Sequence, residues 1–259
     1  KEVEQAEKKS LPQTVIKLTG EIYQKGEMEK NSPQMLKAYM WRMKYRDMLT
    51  PDSLYTGLQE LKQWAKQADK PMDRAILHSL IAGMYADYAA NNQWQLRQRT
   101  EIAGEAPSAD MREWTANMFV EKVRTNVKEA MADSVLLLNT SSRTYIPFVE
   151  LGETSEYYHH DMYHLLASRS IEALQRIQGL DRTTPIEAYS EETSSEKESL
   201  VKQDIERIYD QMLTSYKAKG DKEGCLLTSL NYLNWKHGTS KSFREPFRVK
   251  KGGTYMTFD

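Results

Sequence analysis

Asp69-Lys70-Pro71-Met72-Asp73-Arg74-Ala75-Ile76-Leu77-His78-Ser79-Leu80-Ile81-Ala82-Gly83-Met84-Tyr85-Ala86-Asp87-Tyr88 is the stretch that decides the fold. Asp69-Lys70-Pro71 punctuates the chain and sets Pro71 at a first helical position, where its missing N–H costs nothing. Ile76, Leu77, Leu80, Ile81, Met84, Tyr85 and Tyr88 then recur at helical spacing on two adjoining stripes. A helix apolar over so wide an arc must be covered on several sides, so this one is expected at the centre of the fold.

Working outward, the same period repeats. Val15, Leu18, Ile22 and Tyr23 share a stripe. Asn31-Ser32-Pro33 breaks it, with Ser32 expected as N-cap and Pro33 at the first helical position. Leu36, Tyr39, Met40 and Met43 carry the next helix, and Thr50-Pro51 starts one holding Leu54, Leu58, Leu61 and Ala65. Beyond the central helix, Asn91 to Asp110 is polar, with a short helix from Trp94 to Arg99. Asp110 with Glu113 reads as a capping box opening a helix that buries Phe119, Val123, Val127 and Ala130. Leu138 to Gly152 reads as an irregular loop, and a helix is expected from Ser155 to about Gln178. Gly179 to Ser195 is polar and acidic, an expected exposed loop, and Glu191, Glu192, Glu196 and Glu198 are read as a solvated loop and helix start. Val201, Ile205, Ile208, Met212 and Tyr216 mark a long helix. Gly220-Asp221 turns into a last one holding Leu226, Leu230 and Leu233.

The expected fold class is therefore all-α. Short turns between successive helices predict antiparallel hairpins stacked as a tetratricopeptide-like right-handed array. An echo supports the stack. Glu21-Ile22-Tyr23-Gln24-Lys25-Gly26-Glu27 parallels Ser215-Tyr216-Lys217-Ala218-Lys219-Gly220-Asp221, each leading to a helix with leucines and Trp41 or Trp235. Residues 1–238 are assigned to the helical domain. Residues 239–259, with Phe243, Phe247, Val249, Tyr255, Met256 and Phe258 around Pro246, Gly252 and Gly253, are assigned to an extended tail or linker to a following domain.

The 259 residues carry 36 basic and 37 acidic side chains. That balance excludes a general nucleic-acid or anionic-membrane binder, which needs excess Lys and Arg. One cysteine forms no internal disulfide. Thirteen methionines are read as gap fillers between helices. No apolar window approaches the length of a membrane span, so a soluble unit with no direct membrane insertion is expected. The chain opens at Lys1 without a basic-then-apolar leader and is read as mature or excised.

The sharpest chemical candidate is Glu156-Tyr157-Tyr158-His159-His160-Asp161-Met162-Tyr163-His164. His160 and His164 at i, i+4 on a helix would converge as metal ligands, with Asp161 or Glu156 adding oxygen, which would allow a metal-dependent hydrolase. The zinc-hydrolase Glu after the first His is missing, and His164 shares a face with Ala167, Ile171 and Leu174. The favoured reading is thus structural, with no catalytic, metal or cofactor residue assigned. Cys225 has no basic neighbour to activate it, and His237 is placed beyond the helix end. Lys241, Arg244, Arg248, Lys250 and Lys251 with Phe243 and Phe247 could track a single strand of nucleic acid, but are read as a basic segment at a domain junction.

Ser141-Ser142-Arg143-Thr144-Tyr145-Ile146-Pro147-Phe148-Val149 and Tyr157-Tyr158-His159-His160-Asp161-Met162-Tyr163-His164-Leu165-Leu166 resemble the N-terminal helical region of large bacterial alpha-macroglobulin-like envelope proteins. Leu11-Pro12-Gln13-Thr14 and Asp73-Arg74-Ala75-Ile76-Leu77-His78 are similar too. The resemblance implies an exported, periplasmic or outer-membrane-anchored protein with later β-sandwich domains and a protease-trapping or envelope-defence context. Members with a thioester build it in a Cys-x-Glu-Gln setting, whereas Cys225 is followed by Leu226 and Leu227. The resemblance carries over no catalytic residue. It implies a non-enzymatic interaction or spacer domain whose partners are proteins or peptides, downstream domains included. A freestanding peptide-binding scaffold is the other non-enzymatic reading.

Overall fold

The computed structural model describes residues 2–50, 53–99, 108, 110–150, 152, 157, 159–181 and 199–238, together with two short strands at 249–251 and 254–256. The fold is helical: α1 Glu2–Lys8, α2 Pro12–Met28, α3 Ser32–Leu49, α4 Ser53–Gln67, α5 Pro71–Asn91, α6 Gln93–Gln98, α7 Ala116–Ala130, α8 Ser134–Asn139, α9 Met162–Ile177, α10 Leu200–Lys219 and α11 Lys222–Gly238. The helices pack against one another. Tight 3-10 turns occupy Met111–Glu113, Ser142–Tyr145 and Gln178–Leu180. No described helix is long and apolar enough to cross a membrane.

The chain divides into two compact units, Lys1–Ile208 and Tyr209–Asp259, the division falling inside α10. The boundary expected after residue 238 lies within the second unit. In the expected tail, the strands β1 Val249–Lys251 and β2 Thr254–Met256 pair antiparallel, with Val249 opposite Met256. The rest of residues 239–259 lies outside the described residues, Lys241, Arg244 and Arg248 among them.

In the first unit α5 is the hub, packed against α4, α7 and α9. Ile76, Leu77, Leu80, Ile81 and Tyr85 are buried, as the double stripe predicted, while Ala82, Ala86 and Ala89 let neighbouring helices approach closely. Each large apolar side chain buried in this way contributes about 1.5–3 kcal/mol. Phe119, Val123, Val127 and Ala130 of α7 are likewise buried. Methionine fills gaps as expected at Met72, Met111 and Met162, and Met43 closes over Gly57, where an added Cβ would lie 3.1 Å from its Cε. Met28 and Met48, by contrast, are exposed.

One turn recurs between helices. At Ser10, Lys30 and Gly220 the backbone takes a positive φ of 53°, 52° and 69°. The next N–H reaches back five residues, Leu11 to Ala6 O at 3.0 Å, Asn31 to Gly26 O at 2.8 Å and Asp221 to Tyr216 O at 3.0 Å. This satisfies the orphan carbonyls of the finished helix. The same residue opens the next one: Asn31 accepts from Gln34 N–H at 3.2 Å and Asp221 from Gly224 N–H at 2.8 Å. The sequence echo is therefore out of register, because Lys30 is the structural partner of Gly220 and Gly26 still lies within α2.

Three local expectations are corrected. Asn31, not Ser32, is the N-cap, and Ser32 turns its hydroxyl to Asp73 at 2.6 Å. Asp110 caps only the turn Met111–Glu113, and α7 starts at Ala116. Glu113 accepts the Ser108 hydroxyl instead of reaching back to Asp110 N–H, which goes to Ser108 Oγ. On α11 the leucine stripe faces water, with Leu226 61%, Leu230 46% and Leu233 48% exposed. The opposite face is used in the second unit: Gly224 admits the Tyr216 ring, and Tyr232 and Trp235 lie 4.9 and 6.1 Å from Tyr209.

Candidate functional site

The histidine segment does not form the expected helical pair. Helix α9 begins at Met162, with Asp161 as its N-cap. The backbone just before it is tied to the segment 140–142 by Ser142, whose N–H and hydroxyl donate to His160 O at 3.0 and 3.2 Å, and by Met162 N–H donating to Thr140 O at 2.9 Å. His160 is thus outside the helix with an exposed side chain, and the i, i+4 geometry is lost. His164 is fully buried and pairs back to its own cap, Nδ1 lying 2.8 and 3.0 Å from the two Asp161 oxygens. Glu156 lies outside the described residues. Among the described residues no group of three or more His, Cys, Asp or Glu is placed to hold a metal ion.

His159, at φ 63°, contacts Ser168 Oγ through Nε2 at 2.6 Å. Burial pushes its pKa down to about 4, with the neighbouring His164 adding and Asp161 opposing. A neutral imidazole beside a hydroxyl suggests a nucleophile and base. Ser168 lies inside α9, however, where the backbone N–H groups are bonded within the helix and are not available to an oxyanion. The contact ties His159, two residues ahead of the α9 N-cap, to the second turn of that helix. Cys225 is half-buried, its Sγ 4.0 Å from Leu213 O, and His237 lies in the last turn of α11 rather than beyond it.

A buried polar knot, which the sequence reading missed, secures the N-termini of α3 and α5. Asp73 accepts from Ser32 at 2.6 Å and from Tyr145 at 2.6 Å, and Lys70 Nζ donates to Ser32 Oγ at 3.2 Å and to Lys30 O at 3.2 Å. Desolvation, reinforced by Asp73, raises the Tyr145 phenol far above its ordinary pKa.

The feature with the character of a binding site is a cleft of about 510 Å3 between α4, α5 and α7. Its floor is buried: Ala65, Ile81, Tyr85 and Trp114. Tyr85 and Trp114 lie 5.4 Å apart, and both are braced by Phe119, Trp114 at 5.3 Å. Burial pushes the Tyr85 phenol up to about 12, with Tyr55 adding to the shift. The walls carry Lys62, Lys66 and Lys122, with Tyr55, Gln59, His78, Thr125 and Asn126, and no carboxylate among the described residues.

The electrostatics are one-sided. Lys62 is held below the ordinary lysine pKa, first by burial and then by Lys122 and Lys66. Lys122 lies 5.9 Å over the Trp114 ring. Among the described residues none of the three lysines is ion-paired, whereas nearby Arg112 is neutralised by Asp110 at 2.7 Å. His78 is fixed as well. Asn126 donates Nδ2–H to Lys122 O at 2.8 Å, so its Oδ1 accepts from His78 Nδ1 at 2.8 Å. A sequence signal existed, a lysine directly after the core positions Leu61 and Ala65 and another directly before Val123. Convergence of those lysines required the tertiary fold.

Comparison with family models, with curated proteins and with solved structures returned no match.

Proposed function

We propose that this chain is a non-catalytic helical interaction module of tetratricopeptide-like hairpins, serving as an accessory or spacer part of a large alpha-macroglobulin-like envelope protein. The observation that carries the interaction reading is the α4–α5–α7 cleft, with its apolar aromatic floor and polar walls, the usual make-up of a recognition site. The recurring turn after α1, α2 and α10 supports the hairpin reading, since repeated helix–turn–helix units present extended concave surfaces.

The macroglobulin context rests on the sequence resemblance. Partners are proteins or peptides, including later domains of the same polypeptide, and the location is the periplasm or the outer membrane.

Reading the coding frame beyond Asp259 and fractionating cells with an antibody to this chain tests the proposal. Successive β-sandwich domains and an envelope location are expected. A cytoplasmic protein, or a frame without such domains, would make the chain a freestanding scaffold and contradict the proposal.

A further inference from the structure

We infer that the α4–α5–α7 cleft takes an acidic segment of a protein partner, glutamate or aspartate side chains flanking one large apolar residue. The inference rests on the reading of this chain as a protein-interaction module and adds the chemistry of what it binds.

Three observations converge. First, Lys62, Lys66 and Lys122 come from two helices to one cleft whose lining, among the described residues, contains no carboxylate. Second, the arrangement is unfavourable without a ligand: Lys62 is partly desolvated and repelled by the other two, and among the described residues none of them is ion-paired. An anion seated among them relieves this repulsion. Third, the floor of Ile81, Tyr85 and Trp114 is apolar and buried, so it rewards a hydrophobic side chain lying between the charges. Lysine ammonium groups are point charges without the planar fork of arginine, and they accept carboxylates from a range of directions.

Nucleic acid fits less well. Its binders neutralise many phosphates along a track, whereas this chain has a net charge of -1 and the cleft, among the described residues, three lysines. A small inorganic anion would leave the aromatic floor unused.

The test is fluorescence anisotropy of the full chain with a short labelled peptide of alternating Glu and Leu around one Trp, against the same peptide with Gln for Glu. Expected is saturable binding of the Glu peptide that weakens steadily with added salt. The Gln peptide, and the Lys62→Met/Lys122→Met variant with the Glu peptide, should bind at least about tenfold more weakly. Lys66→Gln, at an exposed position that does not threaten folding, should weaken binding about threefold. Equal binding of both peptides, undiminished binding by the lysine variants, or displacement of the peptide by inorganic phosphate or single-stranded oligonucleotide at lower concentration would overturn the inference. So would failure of both peptides to bind. None of these outcomes touches the macroglobulin context, which the coding frame tests separately.

Discussion

Replacing Asp73 by Ala removes the acceptor that ties the N-termini of α3 and α5 to the turn Ser142–Tyr145. Two hydrogen bonds of 2.6 Å to a buried carboxylate are lost. Hydrogen bonds to charged groups contribute about 1.5–3 kcal/mol each, and a buried hydroxyl left without a partner costs about 1–3 kcal/mol more. Lys70 only donates to the Ser32 oxygen, so the hydroxyl hydrogens of both Ser32 and Tyr145 lose their acceptor. The expected loss is about 3–5 kcal/mol, the range found when one partner of a buried charged network is removed. Tyr145→Phe keeps the ring and leaves Asp73 its Ser32 bond, for a loss of about 1.5–3 kcal/mol. The double variant should lose less than the two single losses combined, with a coupling of about 1–2 kcal/mol. Urea unfolding followed by circular dichroism measures all three. A loss below about 1 kcal/mol for Asp73→Ala, or strict additivity with Tyr145→Phe, refutes the idea that this knot holds the three segments together.

Other expectations follow from single contacts. His159 has its pKa lowered from 6.5 to about 4 in the folded state, so the unfolded chain binds more protons between these values. The stabilisation is therefore full above pH 6.5 and disappears as pH falls to about 4, a change of order 3 kcal/mol. His159→Asn, which tolerates the positive φ, should flatten that part of a pH–stability profile. Gly224→Ala would place a Cβ 2.9 Å from Tyr216 Cζ and nearer still to other ring atoms, which should cost about 1–3 kcal/mol by thermal unfolding. Gly83→Ala in α5, with nothing within 4 Å, should instead stabilise by about 0.5–1 kcal/mol. Lys62→Met removes a repelled ammonium and should raise stability by about 0.5 kcal/mol, the effect being small because solvent screens the group. A lower melting temperature would show that Lys62 is not repelled.

The helical architecture was legible because burial of apolar faces dominates folding, and helical spacing exposes which faces those are. The double stripe of α5 and the Val201, Ile205, Ile208, Met212 and Tyr216 series of α10 are all but free of choice, and the structure buries them apart from half-buried Met84 and Tyr88. Where two faces compete, period alone is mute. On α11 the Leu226, Leu230 and Leu233 stripe loses to the face of Gly224 and Thr228, because a missing side chain admits Tyr216 while leucine would hold the helix away. The start of α9 was misplaced for a related reason. Asp161 has the chemistry of a ligand and of an N-cap alike, and the hydrogen bonds from Ser142 that keep His160 out of the helix come from a distant segment. The lysine cleft was invisible because each lysine taken alone is an ordinary solvated residue beside a core position. Only the packing of α4 and α7 against α5 brings three of them to one floor.

The central claim is recognition of acidic protein segments by that floor and its lysines. Carbodiimide coupling of the Glu peptide to the full chain, with the attachment points read by mass spectrometry, tests it most directly. The account predicts amide links concentrated at Lys62, Lys66 and Lys122 and suppressed by excess unlabelled peptide. Links spread evenly over exposed lysines such as Lys8 and Lys128, with none enriched in the cleft, would contradict it.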